Sequence, residues 1–155
     1  LGFYYQVTNL VSADDDTNGK VYGYTYNYQY SDVMPGTVVK DVDSMIESPC
    51  IITIYGPAIN PVWRHYVNNV LIATGKCNIT LLTGHNLVIN TASATYSITE
   101  QDEYGYVIFD RYQDSDFSTE RFFLLRSGNN RIAVAHDGVM PPKLKVETRL
   151  LYETV

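Results

Sequence analysis

The run Val21-Tyr22-Gly23-Tyr24-Thr25-Tyr26-Asn27-Tyr28-Gln29-Tyr30 places a tyrosine at every second position. Successive side chains of a β-strand point to opposite faces. In a strand, this spacing therefore sets Tyr22, Tyr24, Tyr26, Tyr28 and Tyr30 on one face and Gly23, Thr25, Asn27 and Gln29 on the other. The same alternation recurs in residues 3–8, 50–55, 62–67, 77–82, 87–90, 95–99, 106–110, 122–125, 132–136 and 143–152. Turn-forming pairs fall between these runs: Asn18-Gly19, Pro35-Gly36, Asn68-Asn69, Thr83-Gly84, Asn129-Asn130 and Asp137-Gly138. Many short strands joined by such turns predict an all-β, mostly antiparallel β-sandwich. Residues 110–119 are polar and read as a loop with at most one helical turn.

A chain of 155 residues suits one domain. The expectation is a single sandwich over 1–155, with residues 34–49 as the internal joint because they carry Pro35-Gly36, three acids and Pro49. The chain opens on Leu1 and is at once strand-like, which reads as a cut upstream of this domain. With 45% hydrophobic and 18% charged residues the composition is globular. No stretch approaches the ~20 consecutive apolar residues of a membrane span, so a soluble chain is expected. A net charge of -6 with scattered Lys and Arg offers no phosphate-neutralising stripe, so nucleic acid is not an expected partner. Cys50 and Cys77 lie in apolar runs, where reduced, buried thiols are the plain expectation and a disulfide the alternative.

Chemistry-bearing patterns are few. Asp14, Asp16, Asn18 and Gly19 imitate the start of a calcium loop, but its twelfth position is Thr25 and its flanks are strand-like, so a solvated hairpin is the simpler reading. His65, His85 and His136 have no His or Cys partner at zinc-ligand spacing. No nucleophile elbow or phosphate-cradling glycine cluster occurs. No enzyme activity, cofactor or metal is therefore expected. The fourteen tyrosines weigh more. Tyr22, Tyr24, Tyr26, Tyr28, Tyr30 and Trp63 are the candidate contact residues for a glycan or a protein partner. A half-sandwich core is the structural alternative for the five tyrosines, and a core or interface anchor is the alternative for Trp63.

From about residue 50 onward the chain resembles the C-terminal domain of siphovirus (bacteriophage) distal tail proteins. Four pieces in order carry the resemblance. The first is Ile54-Tyr55-Gly56-Pro57-Ala58-Ile59-Asn60-Pro61. The second, Gly84-His85-Asn86-Leu87-Val88-Ile89-Asn90-Thr91, is similar to a family strand with Asp where this chain has Asn90. The third, Leu125-Arg126-Ser127-Gly128-Asn129-Asn130, matches a turn of the form Leu-x-x-Gly-x-Asn. The last is the closing strand Val146-Glu147-Thr148-Arg149-Leu150-Leu151-Tyr152.

The resemblance implies a galectin-like (jelly-roll-like) sandwich attached to an N-terminal belt domain that forms a ring at the tail tip. Residues 1–49 do not look like a complete belt, so they read as an N-terminal extension or a linker from a missing belt domain. The resemblance also implies a structural tail-tip or baseplate protein, located in the virion and assembled in the host cytoplasm. Such a protein would contact other tail proteins and oligomerise through the missing domain. The alternative is a carbohydrate-binding module for bacterial cell-wall glycans. The galectin sugar-binding set does not map onto this chain, since Trp63, Arg64 and His65 are adjacent and alternate between faces.

Overall fold

The computed structural model describes residues 2–12 and 35–154. The tyrosine run of residues 21–30 and the Asp14 loop lie outside the described residues. All strand pairs among the described residues are antiparallel. The larger sheet holds β1 (Gly2–Val11), β12 (Leu144–Thr154), β3 (Cys50–Tyr55), β8 (Asn86–Asn90), β9 (Ser97–Gln101) and β10 (Val107–Asp110), in that spatial order. The smaller sheet runs β2 (Thr37–Val42), β11 (Gly128–Ala135), β5 (Val62–Val67) and β6 (Val70–Lys76). A short pair, β4 (Ala58–Ile59) with β7 (Thr80–Leu81), accompanies them. The predicted all-β sandwich is the observed architecture.

Period-two burial builds the core from both sheets. The larger sheet turns Cys50, Ile52, Ile54, Leu87, Ile89, Ile98, Leu144 and Val146 inward. The smaller sheet meets them with Val38, Trp63, Ala73, Ile132 and Val134. Trp63 is fully buried and its indole N–H donates to the Arg121 carbonyl at 3.0 Å, so the ring's one polar atom is satisfied where water cannot reach it. Gly75 faces it on the neighbouring strand. A Cβ there would lie 2.4 Å from the indole, so only glycine leaves room for the ring.

Buried polar groups tie the strands to the loops. His65 Nε2 lies 2.7 Å from Asn130 Oδ1, and the Asn130 amide nitrogen donates to the Arg126 and Gly128 carbonyls. Those two bonds fix the asparagine's orientation, so Oδ1 accepts and His65 carries its proton on Nε2. Burial, assisted by the Arg126 charge and opposed by the Asn130 hydrogen bond, holds the imidazole's pKa below its ordinary value. The ring also stacks on Phe123 at 4.3 Å. Cys50 and Cys77 are free and buried, as the apolar setting predicts, and burial pushes both thiols up to about 12.

Several boundaries differ from the sequence reading. The expected joint over residues 34–49 contains β2, which extends the smaller sheet at β11. Strand β6 escapes the alternation pattern because Val70 and Leu71 are both exposed at its start. The Asn68-Asn69 turn nevertheless marks it: both residues take positive φ, as a tight two-residue hairpin requires. Residues 77–82 yield the two-residue β7 and one bridge, Cys77 to Ser115, and 122–125 form no strand beyond one bridge, Leu125 to Ser48. Asn129 and Asn130 lie within β11 rather than in a turn. Residues 110–119 hold one 3₁₀ turn, Tyr112–Asp114, as expected of that loop.

The fit of Trp63 over Gly75 gives a direct test. Gly75→Ala should lower stability by about 1–3 kcal/mol, the usual cost of overpacking a filled core. Urea unfolding followed by tryptophan fluorescence reads Trp63 alone, since the chain has one tryptophan. An unchanged midpoint would contradict the tight contact.

Candidate protein interface

The site begins with a charge in the core. β9 alternates its burial so that Ile98 and Glu100 both face inward, which leaves a carboxylate at a position built for an apolar side chain. A charge so placed must be paired and hydrogen-bonded to be tolerated. Arg111, the residue after β10, supplies Nε at 2.8 Å and Nη2 at 2.7 Å to Glu100 Oε1. His85, in the turn before β8, places Nδ1 2.5 Å from Oε2. Desolvation alone would push the Glu100 carboxyl up, but the hydrogen bonds from His85 and Arg111 outweigh it and hold it below its ordinary value. Arg111 also reaches Asp114 at 3.2 Å, so its charge is spent on two acids.

This clamp fixes the chain on both sides of Arg111. Upstream, the guanidinium lies 4.5 Å over the Phe109 ring. β10 itself is exposed at all four positions and is the last strand of the larger sheet among the described residues, with a bulge in its pairing to β9 between Val107 and Phe109. The turn before it closes on Asp102, whose carboxylate accepts the backbone N–H groups of Tyr104 and Tyr106. Tyr104 is 78% exposed, Tyr106 72% and Val107 60%.

Downstream, rings assemble around Arg121. Its guanidinium lies 4.2 Å from the Phe117 ring centre and 4.9 Å from that of Tyr112. Phe122 stacks on Tyr96 at 4.5 Å and 6°. Because Arg121 also accepts the Trp63 indole N–H through its carbonyl, the surface rings are anchored directly to the core. Exposed apolar and aromatic side chains thus stand on both sides of Arg111, with Tyr104, Tyr106, Val107 and Phe109 before it and Phe117 after it. Clustered exposed side chains of this kind make the region a candidate contact surface.

The sequence-selected residues stand elsewhere. Trp63 takes the core alternative: its ring is closed into the core of the sandwich rather than exposed to a sugar or a partner. Tyr22, Tyr24, Tyr26, Tyr28 and Tyr30 lie outside the described residues. The sequence reading missed Tyr104, Tyr106, Phe109 and Phe117. The signal for the first three was legible in Tyr104-Gly105-Tyr106-Val107-Ile108-Phe109, a turn and strand with apolar residues at consecutive positions and acids on both flanks. In a two-layer sandwich such a strand cannot hide both faces. Among the described residues, no group of three or more His, Cys, Asp or Glu side chains could hold a metal ion.

With this geometry the fold can be compared with known proteins. No family model matches the chain, and no curated protein matches its sequence. Solved structures do share its fold. One is the SPP1 Dit protein, described as a paradigm of the hub adsorption apparatus in phages infecting Gram-positive hosts. It aligns with a TM-score of 0.60 and 8% identity, over 97% of this chain and 49% of that one. Another is the phage P2 baseplate in its activated conformation with Ca, with a TM-score of 0.53 and 14% identity, over 97% of this chain and 53% of that one. The present chain thus spans about half the length of either neighbour, and at these identities the likeness is one of fold.

The Glu100 clamp sets a pH dependence. A carboxyl whose folded pKa lies below its unfolded value contributes stability that is complete above the unfolded value of 4.5 and is lost as pH falls through the folded one. Glu100→Gln should lower stability by about 1.5–3 kcal/mol at neutral pH, the scale of a hydrogen bond to a charged group. It should also flatten the acid limb of a plot of urea midpoint against pH. An acid limb identical in the two proteins would show that Glu100 does not govern it.

Proposed function

We propose that this chain is a structural module of a bacteriophage tail tip or baseplate, of the distal-tail kind, acting through protein–protein contacts. The observation that carries the reading is the fold likeness to the SPP1 Dit protein and the phage P2 baseplate over 97% of the chain. The ordered apolar surface at β10 and Arg121 supports it, because a module that works by contact needs such a face. In this reading the protein resides in the virion, is assembled in the host cytoplasm, contributes to host attachment and catalyses no reaction. A galectin-like description of the sandwich and oligomerisation through a preceding N-terminal belt domain belong to the same proposal. Mass spectrometry of purified phage particles should detect the protein at a stoichiometry fixed relative to other tail proteins. Its absence from particles would end the tail reading.

A second reading, glycan binding, now falls on a different place. An open polar cleft of about 510 Å³ lies between the two sheets, lined by residues that include Gln6, Lys40, Asp41, Asn68, Asn129 and Tyr152. Amide, carboxylate and phenol groups grouped in this way suit sugar hydroxyls, whereas the buried Trp63 does not. Saturable pull-down on Gram-positive cell-wall polysaccharide, competed by free saccharide and lost in Asn129→Ala, would support the glycan reading. Absence of binding would remove it.

A further inference from the structure

We infer that the open edge of β10 is a docking site for an extended, apolar strand flanked by lysine or arginine and supplied by another protein. The inference deepens the contact reading above and rests on it. β10 is paired by β9 on one side and by no strand on the other among the described residues. An edge of this kind presents unpaired backbone N–H and C=O groups, which an incoming strand satisfies while side chains on both faces gain contacts. Here both faces are apolar and exposed, with Val107, Ile108 and Phe109 in succession.

Charge selects the occupant. The edge is flanked in sequence by Asp102, Glu103 and Asp110, while the neighbouring cation, Arg111, is already paired with Glu100 and Asp114. The uncompensated field is therefore acidic. A second copy of this chain would bring the same acids against each other, and like charges facing across strands are destabilising. The short length and the bulge limit the backbone pairing open to any incoming strand to a few hydrogen bonds, so charge and side-chain contacts decide which strand docks. A partner strand with basic ends avoids the like-charge objection.

The test uses the full chain and three synthetic peptides with one alternating valine–threonine centre. One carries lysines at both ends, one carries glutamates there, and one keeps the lysines but interrupts the centre with prolines. Calorimetry should show saturable binding of the lysine peptide, with the glutamate and proline peptides at least about tenfold weaker. Amide hydrogen exchange should slow within residues 107–110 on binding.

Glu103→Lys, an exposed change that touches no other side chain's hydrogen bond, should weaken the lysine peptide by about two- to fivefold, the scale of a surface charge pair. The double variant Val107→Thr with Ile108→Thr keeps strand propensity and should weaken it further. No binding of the lysine peptide, equal binding of all three, or protection confined to other residues would overturn the inference. So would self-association that slows exchange at 107–110. If the peptides fail while the protein is present in particles, the edge inference falls and the tail reading stands. If they bind while the protein is absent from particles, the tail reading falls alone.

Discussion

The candidate contact surface depends on one buried carboxylate. Glu100 occupies an inward position of β9 that period-two burial reserves for an apolar side chain, and it is nearly inaccessible to water. A lone charge there would cost several kcal/mol. The fold answers with Arg111 and His85, drawn from opposite sides in sequence, and the answer dictates geometry. Arg111 reaches Glu100 from the end of β10, where its backbone N–H donates to the Ile98 carbonyl of β9. There its guanidinium covers the Phe109 ring, and the 3₁₀ segment Tyr112–Asp114 begins at the next residue. Polar satisfaction inside the sandwich is thus what fixes an apolar surface outside it.

A second linkage runs through Trp63. Its indole N–H is bonded to the carbonyl of Arg121, the residue whose guanidinium is surrounded by Tyr112, Phe117 and Phe122. The backbone of one residue closes the core while its side chain organises the surface. Exposed rings are commonly mobile, but rings stacked on an anchored guanidinium lose less freedom when a partner arrives. Preorganisation of this kind lowers the ordering cost of binding.

The fold was largely legible in the sequence because alternation and turn chemistry are local signals. The ranges 50–55 and 62–67 match β3 and β5 at both ends. Strands β2 and β6 were hidden for physical reasons. β2 follows Pro35-Gly36 and precedes a cluster of acids, which mimics a linker, and β6 begins with two exposed apolar residues that break the period. The site was much less legible. Trp63 looks the same in sequence whether its ring faces a sugar or the core, and only the neighbouring Gly75 across β6 decides. Glu100, Arg111 and His85 are ordinary polar residues until the sheet brings them together. The tyrosines of residues 21–30, the loudest signal in the sequence, lie outside the described residues and neither support nor weaken the interface at β10.

If the face around β10 is where this chain meets another protein, site-specific photocrosslinking in the assembled particle should show it. A photoreactive residue would be placed at Tyr106 and, as a control on another face, at Lys40 in the polar cleft. The expected result is an efficient cross-link from position 106 to a different tail protein, with the linked peptide rich in lysine or arginine. Efficient cross-linking from position 40, with none from 106, would contradict the assignment of that face.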